Sequence, residues 1–107
     1  MKKILFVCTQ NRLRSPTAER VFGNHSDIVV KSAGLDIHAK THLTSDLIDW
    51  AEIIFTMEKS HQNEIKKKFG SKLKRKKLIY LDIPDEYDYM QKELIEILNK
   101  KVPKYLK

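Results

Sequence analysis

The sequence is poor in the residues that staple a chain, carry it across a membrane or loosen it. Its 107 residues include one cysteine, three glycines, three prolines and one tryptophan. A single cysteine excludes an internal disulfide. No apolar run approaches the ~18 residues that a membrane-spanning helix needs. The start, Met1-Lys2-Lys3 and then Ile4 to Val7, has the positive end of an export signal, yet its apolar part breaks off at Thr9-Gln10-Asn11-Arg12. That is too short for an export core. The expectation is a reduced, cytoplasmic protein with no membrane contact. There is no repeat, linker or low-complexity segment, and a chain of 107 residues suits one domain, taken as residues 1–107.

Positive charge is in excess, with 21 Lys and Arg against 14 Asp and Glu and a net charge of +7. It is unevenly spread. Eight of the twelve residues from Lys66 to Lys77 are basic, whereas Asp82 to Asp88 holds four acids and no base. Such a basic run could bind nucleic acid or another anionic partner. Phe69 is its one aromatic residue, which leaves little to stack on bases. The run is therefore read as a solvated helix end and loop, with nucleic acid as the alternative.

Four short apolar runs, Ile4 to Val7, Ile28 to Val30, Ile53 to Phe55 and Leu78 to Leu81, show no polar alternation and predict strands buried on both faces. Helical segments lie between them, at Pro16 to about Phe22, Thr44 to Ala51, Glu58 to Phe69 and Gln91 to Val102. In the last, Leu94, Ile95, Leu98 and Val102 form an apolar stripe, and Pro103 suits a helix end. The alternation β-α-β-α-β-α-β-α implies a parallel sheet with helices on both faces.

Ligands of such sheets sit at the carboxyl ends of the strands. Cys8 follows the first strand directly, and the loop to Arg14 leads into a helix for which Ser15 is a candidate cap and Pro16 the first residue. The positive end of a helix dipole, with N–H groups that lack helical partners, suits an anion. A loop of this length can curl its N–H groups, those of Thr9, Gln10, Asn11, Arg12 and Leu13, around one phosphate, while Arg14 adds a two-pronged guanidinium contact. The same field stabilises a thiolate at Cys8 aimed at phosphorus.

The run Val7-Cys8-Thr9-Gln10-Asn11-Arg12-Leu13-Arg14-Ser15-Pro16-Thr17-Ala18-Glu19 resembles the phosphate-binding loop of the low-molecular-weight protein tyrosine phosphatases, V-C-x-G-N-x-C-R-S-P-x-A-E. The likeness continues through Ser32-Ala33-Gly34, Ile54-Phe55-Thr56-Met57 with His61, and Pro84-Asp85-Glu86-Tyr87, which is similar to the family's P-D-P-Y. The resemblance implies a four-stranded parallel sheet in the order 2-1-3-4. It makes Cys8 the nucleophile, Arg14 the clamp on the phosphoryl oxygens and Asp85 the general acid. It also makes Asn11 the holder of the loop's shape and Ser15 a hydrogen-bond partner of the thiolate. The implied activity is hydrolysis of phosphomonoesters, protein phosphotyrosine first among them, through a phosphocysteine, with no metal or other cofactor. The implied partner is a phosphorylated protein or a small phosphomonoester.

Departures from the pattern have consequences. Gln10 replaces a glycine, and Leu13 replaces a second cysteine, so an oxidised Cys8 has no resolving thiol in this chain. Arg12 adds a cation at a position that faces substrate in the family, and so suggests an acidic substrate. Leu35-Asp36-Ile37-His38 stands where the family places a bulky residue beside the pocket. Asp82 competes with Asp85 for the acid's role, and Tyr87 and Tyr89 could wall the pocket or simply pack. His25, His38, His42 and His61 lack metal-ligand spacing and are read as surface or capping residues. Two other functions fit the loop: arsenate reduction with an external thiol, and a non-catalytic phosphate-binding or phosphocysteine carrier module.

Overall fold

The computed structural model describes residues 1–106, and at its centre lies β1 (Lys2–Cys8), whose Ile4, Leu5, Phe6 and Val7 have no exposed surface. Both edges of β1 are occupied by parallel partners, β2 (Ile28–Gly34) on one side and β3 (Ile53–Thr56) on the other. Beyond β3 lies β4 (Lys77–Tyr80), which completes the order β2-β1-β3-β4. This is the sheet implied by the resemblance. Because successive side chains of a strand point to opposite faces, β1 feeds two cores. Ile4, Phe6 and Cys8 pack with Ala18 and Phe22 of α1 (Arg14–Phe22) and with Leu94 and Leu98 of α4 (Lys92–Lys101). Leu5 and Val7 pack with Ile48 of α2 (Ser45–Trp50) and Ile65 of α3 (Lys59–Phe69). The helices thus divide two and two between the faces.

Element ends differ from the sequence expectation where local bonds decide them. β2 continues past Val30 to Gly34 because Lys31 to Gly34 pair with Leu5 to Cys8, whatever the polarity of their side chains. Helix α1 starts at Arg14, two residues before Pro16, and the residue preceding it is Leu13, which makes no side-chain cap. Ser15 is therefore inside the first turn and is not the cap. Pro16 fits there because N–H groups of a first turn have no helical acceptor to lose. Thr44 does cap α2, its hydroxyl accepting from the Leu47 N–H at 3.3 Å.

The basic run occupies the end of α3, a 3₁₀ turn at Gly70–Lys72 and the amino end of β4. In a parallel sheet that end lies opposite the carboxyl end of β1 where Cys8 sits. Part of the run is tied back to the fold, with Lys72 paired to Asp49 at 3.1 Å and Lys76 donating to the Ala51 carbonyl. Among the described residues no helix is long and apolar enough to cross a membrane.

Candidate active site

Five residues, Thr9 to Leu13, turn the chain from the end of β1 into the first turn of α1. The segment after β2 shapes that turn from outside. The N–H groups of Leu35, Asp36 and Lys40 donate to the carbonyls of Cys8, Thr9 and Gln10, each at 3.0 Å. In a trans peptide the N–H points away from the carbonyl, so the N–H groups of Thr9, Gln10 and Asn11 turn to the inside of the loop. That of Asn11 reaches Cys8 Sγ at 3.3 Å. Those of Thr9 and Gln10 have no acceptor among the described residues. Such a close approach needs a glycine on the neighbouring strand, since a Cβ on Gly34 would sit 2.7 Å from the Thr9 carbonyl oxygen and 2.9 Å from the Asn11 nitrogen. Gln10 keeps a negative φ, so a glycine is not required there, and its side chain ties the loop outward to Asp36 Oδ2 at 2.9 Å.

A chain of hydrogen bonds ends on the sulfur. Asn11, in the left-handed region at φ 55°, donates both amide hydrogens, to Ser15 Oγ and to Ser32 Oγ, each at 2.9 Å. Ser32 in turn donates to Glu19. With its oxygen accepting from Asn11, Ser15 has its own proton to give to Cys8 Sγ, 2.9 Å away. The buried thiol therefore meets two donors, the Ser15 hydroxyl and the Asn11 N–H, at the start of α1. Two hydrogen-bond donors and the amino end of a helix thus converge on the sulfur.

Arg14 is 2% exposed, and its Nη1 is held by Glu58 Oε2 at 2.6 Å and by the Ile83 carbonyl at 2.8 Å. This leaves the edge formed by Nε and Nη2 for a ligand. Glu58 immediately precedes α3, and its N–H donates to Nδ1 of His61 at 3.2 Å. The His61 proton is thus on Nε2, 2.9 Å from Thr9 Oγ1, which accepts it. Burial, and next the charge of Arg14, lower the His61 pKa below its usual 6.5, so the ring is neutral. Of the surface or capping roles expected for the histidines, His61 has the capping one: it is buried, closes the start of α3 with Glu58, and adds a contact to the loop.

These groups enclose a cavity of about 180 Å³ lined by Cys8, Thr9, Gln10, Arg12, Leu13, Arg14 and Asp85. Asp85 is 64% exposed, and its Oδ1 lies 3.8 Å from Arg14 Nε. Asp82 does not line the cavity; it has φ 57° and its carbonyl accepts from Lys101. Asn11 and Ser15 sit behind the loop and brace it. Tyr87 is half-buried against the core on the α1 and α4 face and does not line the cavity. Among the described residues no cluster of His, Cys, Asp or Glu could hold a metal ion. Glu58 escaped the sequence reading, although Glu-x-x-His at a helix start is a capping signal.

Residues 3–48 match the low molecular weight phosphotyrosine protein phosphatase family. A protein-arginine-phosphatase of Geobacillus stearothermophilus is 29% identical over 63% of this chain and 62% of its own length, so the match spans less than two thirds of that relative. The solved structure of the YwlE arginine phosphatase from Geobacillus stearothermophilus is similar over 99% of this chain and 94% of that one, with a TM-score of 0.79 and 25% identity. A low molecular weight protein tyrosine phosphatase from Streptococcus pyogenes shares the fold, with a TM-score of 0.76 and 22% identity over 99% of this chain and 91% of that one.

Proposed function

We propose that this chain belongs to the low-molecular-weight phosphotyrosine protein phosphatase family and hydrolyses phosphomonoesters, protein phosphotyrosine in particular, by way of a phosphocysteine at Cys8. The observation that carries this reading is the convergence of a doubly hydrogen-bonded thiol, a pinned arginine and a carboxyl group on one small cavity. In the first step the Cys8 sulfur attacks phosphorus as the ester oxygen leaves, and the three equatorial oxygens lie against the inward N–H groups and the free edge of Arg14. Phosphoryl transfer needs positioning and charge stabilisation above all, and these groups supply both. Asp85, protonated, gives its proton to the leaving oxygen, which matters for a phenol of pKa ~10. In the second step water attacks phosphorus, Asp85 takes its proton, and the P–S bond breaks with the returning thiolate stabilised by Ser15.

Arg12 at the rim bears on the choice of substrate. A second guanidinium there opposes the guanidinium of a phosphoarginine and suits an ester carried by an acidic protein. The test is turnover of para-nitrophenyl phosphate by the wild type and by Cys8→Ser. The reading requires release of phosphate by the first and none by the second. Arsenate reduction with added thiol but no ester hydrolysis would favour a reductase, and binding of phosphate with neither activity a carrier module.

A further inference from the structure

Arg12 belongs to two cavities. The second is a wider one of about 720 Å³ that Cys8 does not line and that is lined in part by Arg20, Lys40, Glu19 and Tyr89. Arg12, Arg20 and Lys40 are exposed, and none of their side chains has an ion-pair partner among the described residues. Glu19 is the one acid of this lining, and it accepts the hydroxyl proton of Ser32. Three cations therefore surround a space whose one carboxylate is already engaged in bracing the phosphate loop. Like charges held together in this way repel one another, and an anion placed among them relieves the repulsion.

We propose that this wider cavity is a subsite for an acidic side chain next to the phosphorylated residue of a protein substrate, an inference that rests on the phosphatase reading above. Because Arg12 is common to both cavities, a group in the wider one is adjacent to a phosphoryl group in the narrower one. From Pro16 to Arg20 helix α1 rises ~6 Å. An extended peptide covers that distance in about two residues, so an acidic residue one or two places from the phosphorylated one comes level with Arg20. Tyr89, on the chain following the Asp85 loop, gives the peptide an exposed aromatic wall.

The experiment compares two phosphotyrosyl peptides, one with Asp and Glu beside the phosphotyrosine and one with Asn and Gln, on the wild type and on Arg20→Gln/Lys40→Gln. The wild type should favour the acidic peptide through KM. The double variant should lose roughly 2- to 25-fold of that preference, the effect of two exposed ion pairs, while turning over para-nitrophenyl phosphate at the wild-type rate. The same peptides are titrated calorimetrically into Cys8→Ser, where the acidic one should bind more tightly and salt should narrow the gap. Equal affinities there, or a preference that the double variant keeps in full, would overturn the subsite. Tighter binding of the acidic peptide by a protein that hydrolyses neither peptide nor aryl ester would uphold the subsite and remove the phosphatase reading alone.

Discussion

Replacing Glu58 by alanine should damage catalysis although the residue does not line the cavity. Arg14 is 2% exposed, and its Nη1 has two partners, Glu58 Oε2 at 2.6 Å and the Ile83 carbonyl at 2.8 Å. Breaking an ion pair with both members buried costs about 3–5 kcal/mol. The Glu58 side chain is 39% exposed, so water takes over part of its role, and the loss of stability should be nearer ~1–2 kcal/mol. The functional loss should be larger. Without Glu58 the guanidinium is held by one carbonyl and can swing towards Asp85, now 3.8 Å from Nε, forming a pair that draws both Arg14 and Asp85 away from the roles proposed for them. A clamp displaced by about 1 Å can lower the rate by ~10²-fold. Urea unfolding measures the first effect; kcat/KM on para-nitrophenyl phosphate and inhibition by inorganic phosphate, at a urea-free temperature where circular dichroism shows the variant folded, measure the second. Glu58→Gln keeps an acceptor for Nη1 and should recover most of both. A Glu58→Ala protein with wild-type kcat/KM and phosphate affinity would refute the positioning of Arg14 by Glu58.

Gly34→Ala should distort the phosphate loop, since its Cβ would meet the Thr9 oxygen at 2.7 Å and the Ala39 Cβ at 2.6 Å. A stability loss of about 1–3 kcal/mol together with weaker phosphate binding is expected from unfolding and inhibition assays, and unchanged binding would contradict it. For His61 the folded-state pKa lies below 6.5, so below that value the native state binds fewer protons than the unfolded chain. Stability should therefore be complete above pH 6.5 and fall as pH drops through the folded-state value, by at most about 1.4 kcal/mol per pH unit. Urea unfolding of His61→Gln should show a flatter profile over the same range. Asp85→Asn should slow esters of basic phenols by ~10²–10⁴-fold and spare those of acidic phenols. Asp82→Asn should slow both alike, if at all, and a steeper leaving-group dependence in that variant would transfer the acid's role to it.

Much of the architecture was legible because each strand contains a short apolar run without alternation; burial on both faces, which that pattern predicts, holds for the central strands β1 and β3, whereas the edge strands β2 and β4 leave Val29 and Tyr80 exposed. The loop was legible because its parts are contiguous: Cys8 at a strand end, then Arg14 and Pro16. What the sequence concealed was set by contacts between distant segments. Helix α1 starts at Arg14 with no side-chain cap, and Ser15 inside its first turn bonds the sulfur of Cys8 and, through Asn11, is joined to Ser32 of β2. Glu58 looks like any helix-initiating acid until the fold brings it to Arg14, 44 residues away. Gln10 reads as a departure from a glycine pattern, yet its backbone has no need of glycine and its side chain finds Asp36 across the loop. Tyr87, placed by its neighbours in the acid loop, turned to the core.

The central claim is that the Cys8 sulfur itself carries the phosphoryl group. Rapid quenching during turnover of para-nitrophenyl phosphate, followed by mass spectrometry of the digested protein, tests it most directly. The geometry at Cys8 predicts one phosphoryl group on the peptide that contains this residue, present during turnover and gone when substrate is exhausted. Turnover with that peptide unmodified at every time point, or turnover retained by Cys8→Ser, would contradict it.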